Sequence, residues 1–138
     1  MRTPADILII DDDRDLVNSV EIILRTKNYH VRSAFNGKDG YDKIEKKIPD
    51  LILLDVMMAT DTEGFDLAYK LKDNPRYRDI PIVMITSFPQ KMAEEGPERF
   101  QHIMGEAWPV SSFLEKPIDP KVLLSSVEQV LADVASKT

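Results

Sequence analysis

The stretch Ile7-Leu8-Ile9-Ile10 is an unbroken apolar run that ends abruptly at Asp11-Asp12-Asp13. Its isoleucines favour a strand, and the lack of polar alternation indicates burial on both faces. Strands of this kind lie at the centre of parallel sheets that helices cover on both sides. We therefore expect a central strand with a dense negative charge at its carboxyl end.

The rest of the chain alternates short apolar segments with amphipathic ones. Strand patterns fall at residues 7–10, 30–35, 51–54, 82–85 and 113–114. Helix patterns fall at 14–26, 38–47, 65–72, around 97–104 and from 120 onward, with Asp13 and Asp119 as predicted N-caps. Strict alternation predicts parallel strands with right-handed crossovers, so we expect an α/β fold with a doubly wound five-stranded parallel sheet.

Composition excludes several classes of protein. The 138 residues suit one domain, and the absence of cysteine excludes disulfides, thiolate zinc sites and a cysteine nucleophile. The net charge of −6 argues against unaided binding to nucleic acid or to an anionic membrane surface. No apolar stretch is long enough to span a bilayer and no secretory leader is evident, so we expect a cytoplasmic protein.

Polar residues with complementary chemistry follow the predicted strands. Asp11 and Asp12 follow the first, Asp55 the third, Thr86 the fourth and Lys116 the fifth. Ligands of doubly wound sheets bind at these carboxyl ends. Converging carboxylates repel one another, and a hard divalent cation such as Mg²⁺ is the usual relief. A metal, a carboxylate nucleophile and a lysine together suit phosphoryl transfer.

This ordered set of motifs resembles the response-regulator receiver domain, the phosphoacceptor module of two-component signalling. The matching motifs are Ile9-Ile10-Asp11-Asp12, Leu53-Leu54-Asp55-Val56-Met57-Met58, Ile85-Thr86-Ser87 and Phe113-Leu114-Glu115-Lys116-Pro117. The resemblance implies a flavodoxin-like (βα)5 architecture. We expect a single receiver domain over residues 1–138, with its core at about 5–135 and no output domain, as in stand-alone chemotaxis-type receivers.

The resemblance also assigns roles at the predicted site. It implies that Asp55 is the phosphoacceptor and also one of the metal-binding residues, and that Asp12 binds Mg²⁺ directly. Asp11 is similar to the residue that holds metal-bound water, and the backbone carbonyl of Met57 completes the metal ligands. Lys116 looks like the lysine that pairs with Asp55 and then with a phosphoryl oxygen.

Further positions match the residues that read the phosphorylated state. Thr86 resembles the switch hydroxyl and Phe113 the aromatic residue that moves with it, while the Lys116-Pro117 peptide bond is expected to be cis. Met57 and Phe88 match positions that flank the route of hydrolytic water. Because both are bulky and apolar, we hypothesise slow self-dephosphorylation.

The implied partners are a sensor histidine kinase or a histidine phosphotransfer protein, and a downstream protein target that the sequence does not identify. The family's proline after the acceptor is replaced by Ala59, and the segment 87–112 is longer than usual. The expected protein is a phosphoacceptor, not an enzyme that turns over a substrate. Three alternatives remain open: a phosphorylation-independent interaction module, a haloacid-dehalogenase-like phosphatase and a flavin binder.

Overall fold

The chain folds into alternating strands and helices. The structure is a computed structural model that describes residues 4–55, 63–86 and 112–136. Its strands are β1 (Asp6–Ile10), β2 (His30–Ala34), β3 (Leu51–Asp55), β4 (Ile82–Thr86) and β5 (Ser112–Glu115). Its helices are α1 (Arg14–Arg25), α2 (Gly37–Lys46), α3 (Glu63–Asp73) and α4 (Pro120–Ser136). The helix predicted around 97–104 lies outside the described residues.

The strands form one parallel sheet in the order β2-β1-β3-β4-β5, which confirms the predicted fold class. Ile10 at the end of β1 pairs with Ala34 on one side and with Leu54 on the other. The chain thus leaves β1 towards β2 and later returns on the opposite side to form β3. In doubly wound sheets, such a reversal of strand order opens a crevice at the carboxyl ends of the strands.

The central strand is buried on both faces, as its sequence predicts. Leu8 and Ile10 belong to one core cluster, which residues of α2 and α3 complete. Ile7 and Ile9 belong to a second cluster on the opposite face, with residues of α1 and α4. Each fully buried Leu or Ile contributes roughly 1.5–3 kcal/mol to stability. This two-sided packing fixes the positions of the strand ends.

The predicted helix caps are present. The Asp13 carboxylate accepts hydrogen bonds from the backbone N–H groups of Asp15 (3.1 Å) and Leu16 (3.2 Å) at the start of α1. The Asp119 carboxylate accepts one from the N–H of Lys121 at 2.8 Å. Such caps stabilise a helix by about 1 kcal/mol each. The cap on α1 also fixes the backbone directly after β1.

Three apolar residues on or directly after the helices are exposed. Ile48 is 45% exposed because α2 ends before it and Lys47 is in extended backbone. Val122 and Val134 are 50% and 38% exposed, since α4 buries a narrower face. That face consists of Leu123, Val127 and Val130. None of the helices within the described ranges is long and apolar enough to cross a membrane.

Candidate functional site

Three carboxylates meet at the carboxyl edge of the sheet, where the strand order reverses. Asp11 directly follows β1 and is fully buried, while Asp55 ends β3 and is 2% exposed. Asp12 is exposed beside them. One carboxylate oxygen from each of the three lies within 4.8 Å of the others. The predicted convergence of Asp11, Asp12 and Asp55 is therefore observed.

Lys116 brings the compensating positive charge from the end of β5. Its Nζ lies 3.4 Å from Asp11 Oδ2 and 3.5 Å from Asp55 Oδ1, so one ammonium contacts both buried carboxylates. The Lys116–Pro117 peptide bond is cis, as the resemblance implies. The lysine side chain is 29% exposed and therefore faces the solvent as well as the carboxylates.

Backbone hydrogen bonds fix the orientation of Asp11. Its N–H donates to the carbonyl of Ala34 at 3.1 Å, which ties the residue to the end of β2. Its Oδ1 accepts the N–H of Asp13 at 2.9 Å. The other oxygen, Oδ2, is the one directed at Lys116. Asp11 is thus held between the sheet and the first turn of α1.

Burial and neighbouring charges shift the pKa values of Asp11 and Lys116 in opposite directions. Burial raises the pKa of Asp11, and the Asp13 N–H and the Lys116 ammonium oppose this only in part. Burial would lower the pKa of Lys116, but the carboxylates of Asp55 and Asp11 outweigh it, and the pKa is raised. Lys116 therefore stays protonated, while Asp11 resists ionisation. The site holds more negative charge than one lysine neutralises.

The donor set suits a hard divalent cation. Carboxylate oxygens are the ligands that Mg²⁺ prefers, and one or two carboxylates commonly suffice beside water and phosphate. Asp11, Asp12 and Asp55 supply such oxygens with a spacing that one ion can bridge. A bound cation would also relieve the repulsion between the buried carboxylates.

Four further predicted site residues lie wholly or partly outside the part of the chain that the structure describes. Thr86 ends β4 and pairs with Glu115, and Phe113 pairs with Met84, but the side chains of Thr86 and Phe113 lie outside the described part. All of Met57 and Phe88 lies outside it as well. Their assigned roles remain predictions.

One contact at this edge is not predicted by the sequence. The Arg14 guanidinium carbon lies 4.1 Å from the centroid of the Phe35 ring. Arg14 follows the three aspartates and Phe35 follows β2, so both leave neighbouring strands at the same edge. The only sequence signal for this pair is the adjacency of two parallel strand ends.

The comparisons with known proteins agree with this geometry. Residues 7–128 match the family model described as "Response regulator receiver domain", and the chain belongs to that family. It is 37% identical over 126 residues to "Response regulator PleD" from Caulobacter vibrioides, covering 91% of this chain and 26% of PleD. The chain thus spans about a quarter of the length of that relative.

Solved structures show the same architecture. A putative response regulator from Chloroflexus aurantiacus superposes with a TM-score of 0.79 at 29% identity, covering 94% of this chain and 99% of that one. The chemotaxis response regulator CheY4 of Vibrio cholerae superposes with a TM-score of 0.77 at 30% identity, covering 93% and 99%. The flavodoxin-like receiver fold is therefore confirmed.

Proposed function

We propose that this domain is a phosphorylation-controlled switch that accepts a phosphoryl group on Asp55 in the presence of Mg²⁺. The observation that carries the proposal is the position of Lys116 Nζ, 3.5 Å from Asp55 and 3.4 Å from Asp11, at the strand-order reversal of a receiver-family fold. The donor would be a sensor histidine kinase, a histidine phosphotransfer protein or a small phosphodonor.

In the proposed reaction, a carboxylate oxygen of Asp55 attacks the donor phosphorus in line with the bond that breaks. A new oxygen–phosphorus bond forms, giving an acyl phosphate, as the phosphorus–nitrogen bond of phosphohistidine breaks. The pair of electrons from that bond leaves with the imidazole. Asp55 suits this role because it is 2% exposed, which limits competing water around the nucleophile.

Lys116 is the proposed partner of both the acceptor and the transferred group. Its ammonium contacts Asp55 before transfer, and the same charge can bind a phosphoryl oxygen afterwards. The carboxylates raise its pKa, so the positive charge is present at neutral pH. Asp11, Asp12 and Asp55 are the proposed metal-holding carboxylates, with the carbonyl of Met57. The chemistry that bound Mg²⁺ supplies is neutralisation of charge spread over the phosphoryl oxygens.

The new phosphoryl charge would shift the domain between two conformations by favouring the one that contacts it. We infer that the hydroxyl of Thr86 binds a phosphoryl oxygen and that Phe113 moves with it. The altered surface would then bind a downstream protein. We also infer that Met57 and Phe88 hinder hydrolytic water, so that replacing either by a small or polar residue shortens the lifetime of the phosphorylated form.

Labelling by acetyl phosphate tests the proposal. We expect the wild-type protein to gain one phosphoryl group with Mg²⁺ and to lose this ability in EDTA. Asp55→Asn should abolish labelling. Asp79→Asn is the matched control, because Asp79 is an exposed aspartate that precedes β4 at the opposite edge of the sheet.

Labelling that persists in Asp55→Asn would refute the acceptor assignment. A wild-type protein that is never labelled would instead favour a phosphorylation-independent interaction module. Steady turnover of a phosphate ester, lost in Asp11→Asn, would identify a phosphatase.

A further inference from the structure

The side chain of Arg14, at the start of α1 and directly after the three aspartates, contacts an aromatic ring. Its guanidinium lies over the face of Phe35, with the carbon 4.1 Å from the ring centroid. Phe35 is partly buried and packs against the core cluster on the α1 face of the sheet. The core therefore holds the ring in place as a platform, and a cation–π contact of this length favours one position of the guanidinium above it.

The platform lies beside the carboxylate cluster. The carbonyl of Ala34, the residue before Phe35, accepts the N–H of Asp11 at 3.1 Å. Arg14 opens α1 immediately after Asp13, whose own N–H contacts the Asp11 carboxylate. Both members of the pair are thus joined to Asp11 through short stretches of backbone. This places the guanidinium on the β2 side of the site, whereas Lys116 approaches from β5.

Within the described ranges Arg14 forms no ion pair, although aspartates flank it in sequence. The carboxylate of Asp13 is occupied with capping the N–H groups of Asp15 and Leu16. Arg14 is exposed, so its N–H groups face solvent. A stacked guanidinium keeps its donor edge available, and that edge matches two oxygens of a phosphoryl group.

A cation near the site would help an anionic phosphodonor to approach. With Mg²⁺ held there, the two charges of the ion and the ammonium of Lys116 would only balance the three carboxylates, so the site itself would exert little net attraction on an anion. A further cation beside it adds that attraction and raises the rate of encounter. We propose that Arg14, seated on Phe35, recruits anionic phosphodonors to Asp55. The proposal rests on the proposed function and adds a specificity-determining residue to it.

The test compares the second-order rate constants of labelling by acetyl phosphate at low and high ionic strength. Arg14→Gln should label roughly two- to five-fold more slowly at low salt, as expected for one charge near the donor's path. The difference should vanish at high salt because mobile ions screen it. Phosphoramidate, which carries less negative charge, should show a smaller difference.

Three variants separate recruitment from a general effect on the fold. Arg25→Gln is the matched control, because it removes the same charge from the other end of α1, where the side chain is 61% exposed. It should label like the wild type. Arg14→Lys keeps the charge but not the planar stacked donor edge, and Phe35→Leu keeps the charge but not the platform, so each should label at a rate between those of the wild type and Arg14→Gln.

The outcomes distinguish this inference from the proposed function. Equal rates for wild type and Arg14→Gln at low salt would overturn the role of Arg14 while leaving Asp55 as the acceptor. A deficit that does not change with salt would overturn it as well, since it would indicate a structural effect. Absence of labelling in the wild type would refute the proposed function itself.

Discussion

A buried aspartate begins β1 and another directly follows it, and the two differ in how far neighbouring residues neutralise their charge. Asp6 begins the strand and is 4% exposed, while Asp11 follows its last residue and is fully buried. Between them lie four residues with no exposed surface. The same strand therefore sets two negative charges at opposite edges of one sheet, each out of contact with bulk water.

At the amino end the chain itself neutralises the charge. Asp6 Oδ2 lies 2.9 Å from an Arg32 nitrogen, and Lys47 and His30 stand at 3.8 Å and 3.3 Å from its carboxylate. Arg32 also donates to the carbonyls of Lys43 and Lys47. The arginine thus links the sheet to the end of α2. We interpret this cluster as structural, because its charges are matched within the fold.

At the carboxyl end the balance is reversed. Asp11 meets two further carboxylates, Asp12 and Asp55, and one ammonium, that of Lys116. An acidic excess in a buried place destabilises the protein unless something else supplies positive charge. The comparison teaches that burial alone does not mark a functional carboxylate, whereas burial without internal neutralisation does.

The largest expected change in the free energy of unfolding comes from replacing Asp6, at the amino end of β1. Asp6→Asn leaves Arg32, whose side chain is 20% exposed, without its carboxylate partner. Breaking a buried ion pair in this way costs about 3–5 kcal/mol, and we expect the free energy of unfolding in urea to fall by about 3 kcal/mol. The affinity for Mg²⁺ and the labelling of Asp55 should not change under conditions where the variant is folded. An unchanged free energy of unfolding, or a weakened affinity for Mg²⁺, would contradict the structural role of Asp6.

Replacing Asp11, at the carboxyl end of β1, should change the free energy of unfolding in the opposite direction. Asp11→Asn removes one of the repelling carboxylates, so we expect the metal-free protein to gain on the order of 1 kcal/mol in free energy of unfolding. The same change should weaken Mg²⁺ binding, measured by calorimetry. Asp79→Asn, at an exposed position, is the control for both measurements. A destabilised metal-free variant would show that Asp11 is structural, as Asp6 is.

The pH dependence of the free energy of unfolding is a second test of the environment of Asp11. Burial raises its pKa, with only partial opposition from the Asp13 N–H and Lys116, so the folded protein keeps this proton to higher pH than the unfolded chain. The unfolded chain releases it near pH 4, at about the ordinary aspartate value. Between that pH and the raised folded pKa, the metal-free protein should lose stability as the pH rises. Urea titrations in EDTA should show this slope in the wild type and a smaller one in Asp11→Asn.

The smallest effect is expected at His30. Its side chain is 60% exposed, so its contact with Asp6 is screened by water. We expect His30→Gln to change the free energy of unfolding by no more than about 0.5 kcal/mol at neutral pH. A loss comparable to that in Asp6→Asn would mean that the histidine, and not Arg32, neutralises Asp6.

Strand positions and the site at their ends could be predicted, because both depend on local pattern. The apolar run 7–10 predicts a central strand, and parallel strands necessarily bring Asp11, Asp55 and Lys116 to one edge. The structure extends that strand to Asp6, which no pattern marks as buried. Its burial depends on Arg32 and Lys47, which reach it from β2 and from the end of α2.

The stacking of Arg14 on Phe35 could not be predicted for a similar reason. The sequence places both residues after neighbouring strands, but a cation–π contact depends on side-chain rotamers that packing decides. The exposure of Val122 has the same origin, since the width of a buried helix face depends on what covers it. Pattern sets which elements form, and packing sets which of their side chains meet.

Chemical trapping of the acyl phosphate tests the role of Asp55 most directly. The wild-type protein is labelled with acetyl phosphate and Mg²⁺, unfolded and reduced with borohydride, which converts a phosphorylated aspartate into homoserine. Mass spectrometry of the peptides then locates the modified position. We predict homoserine at position 55 alone. Homoserine at position 11 or 12 with an unmodified Asp55 would contradict the assignment of the buried carboxylate beside Lys116 as the phosphoacceptor.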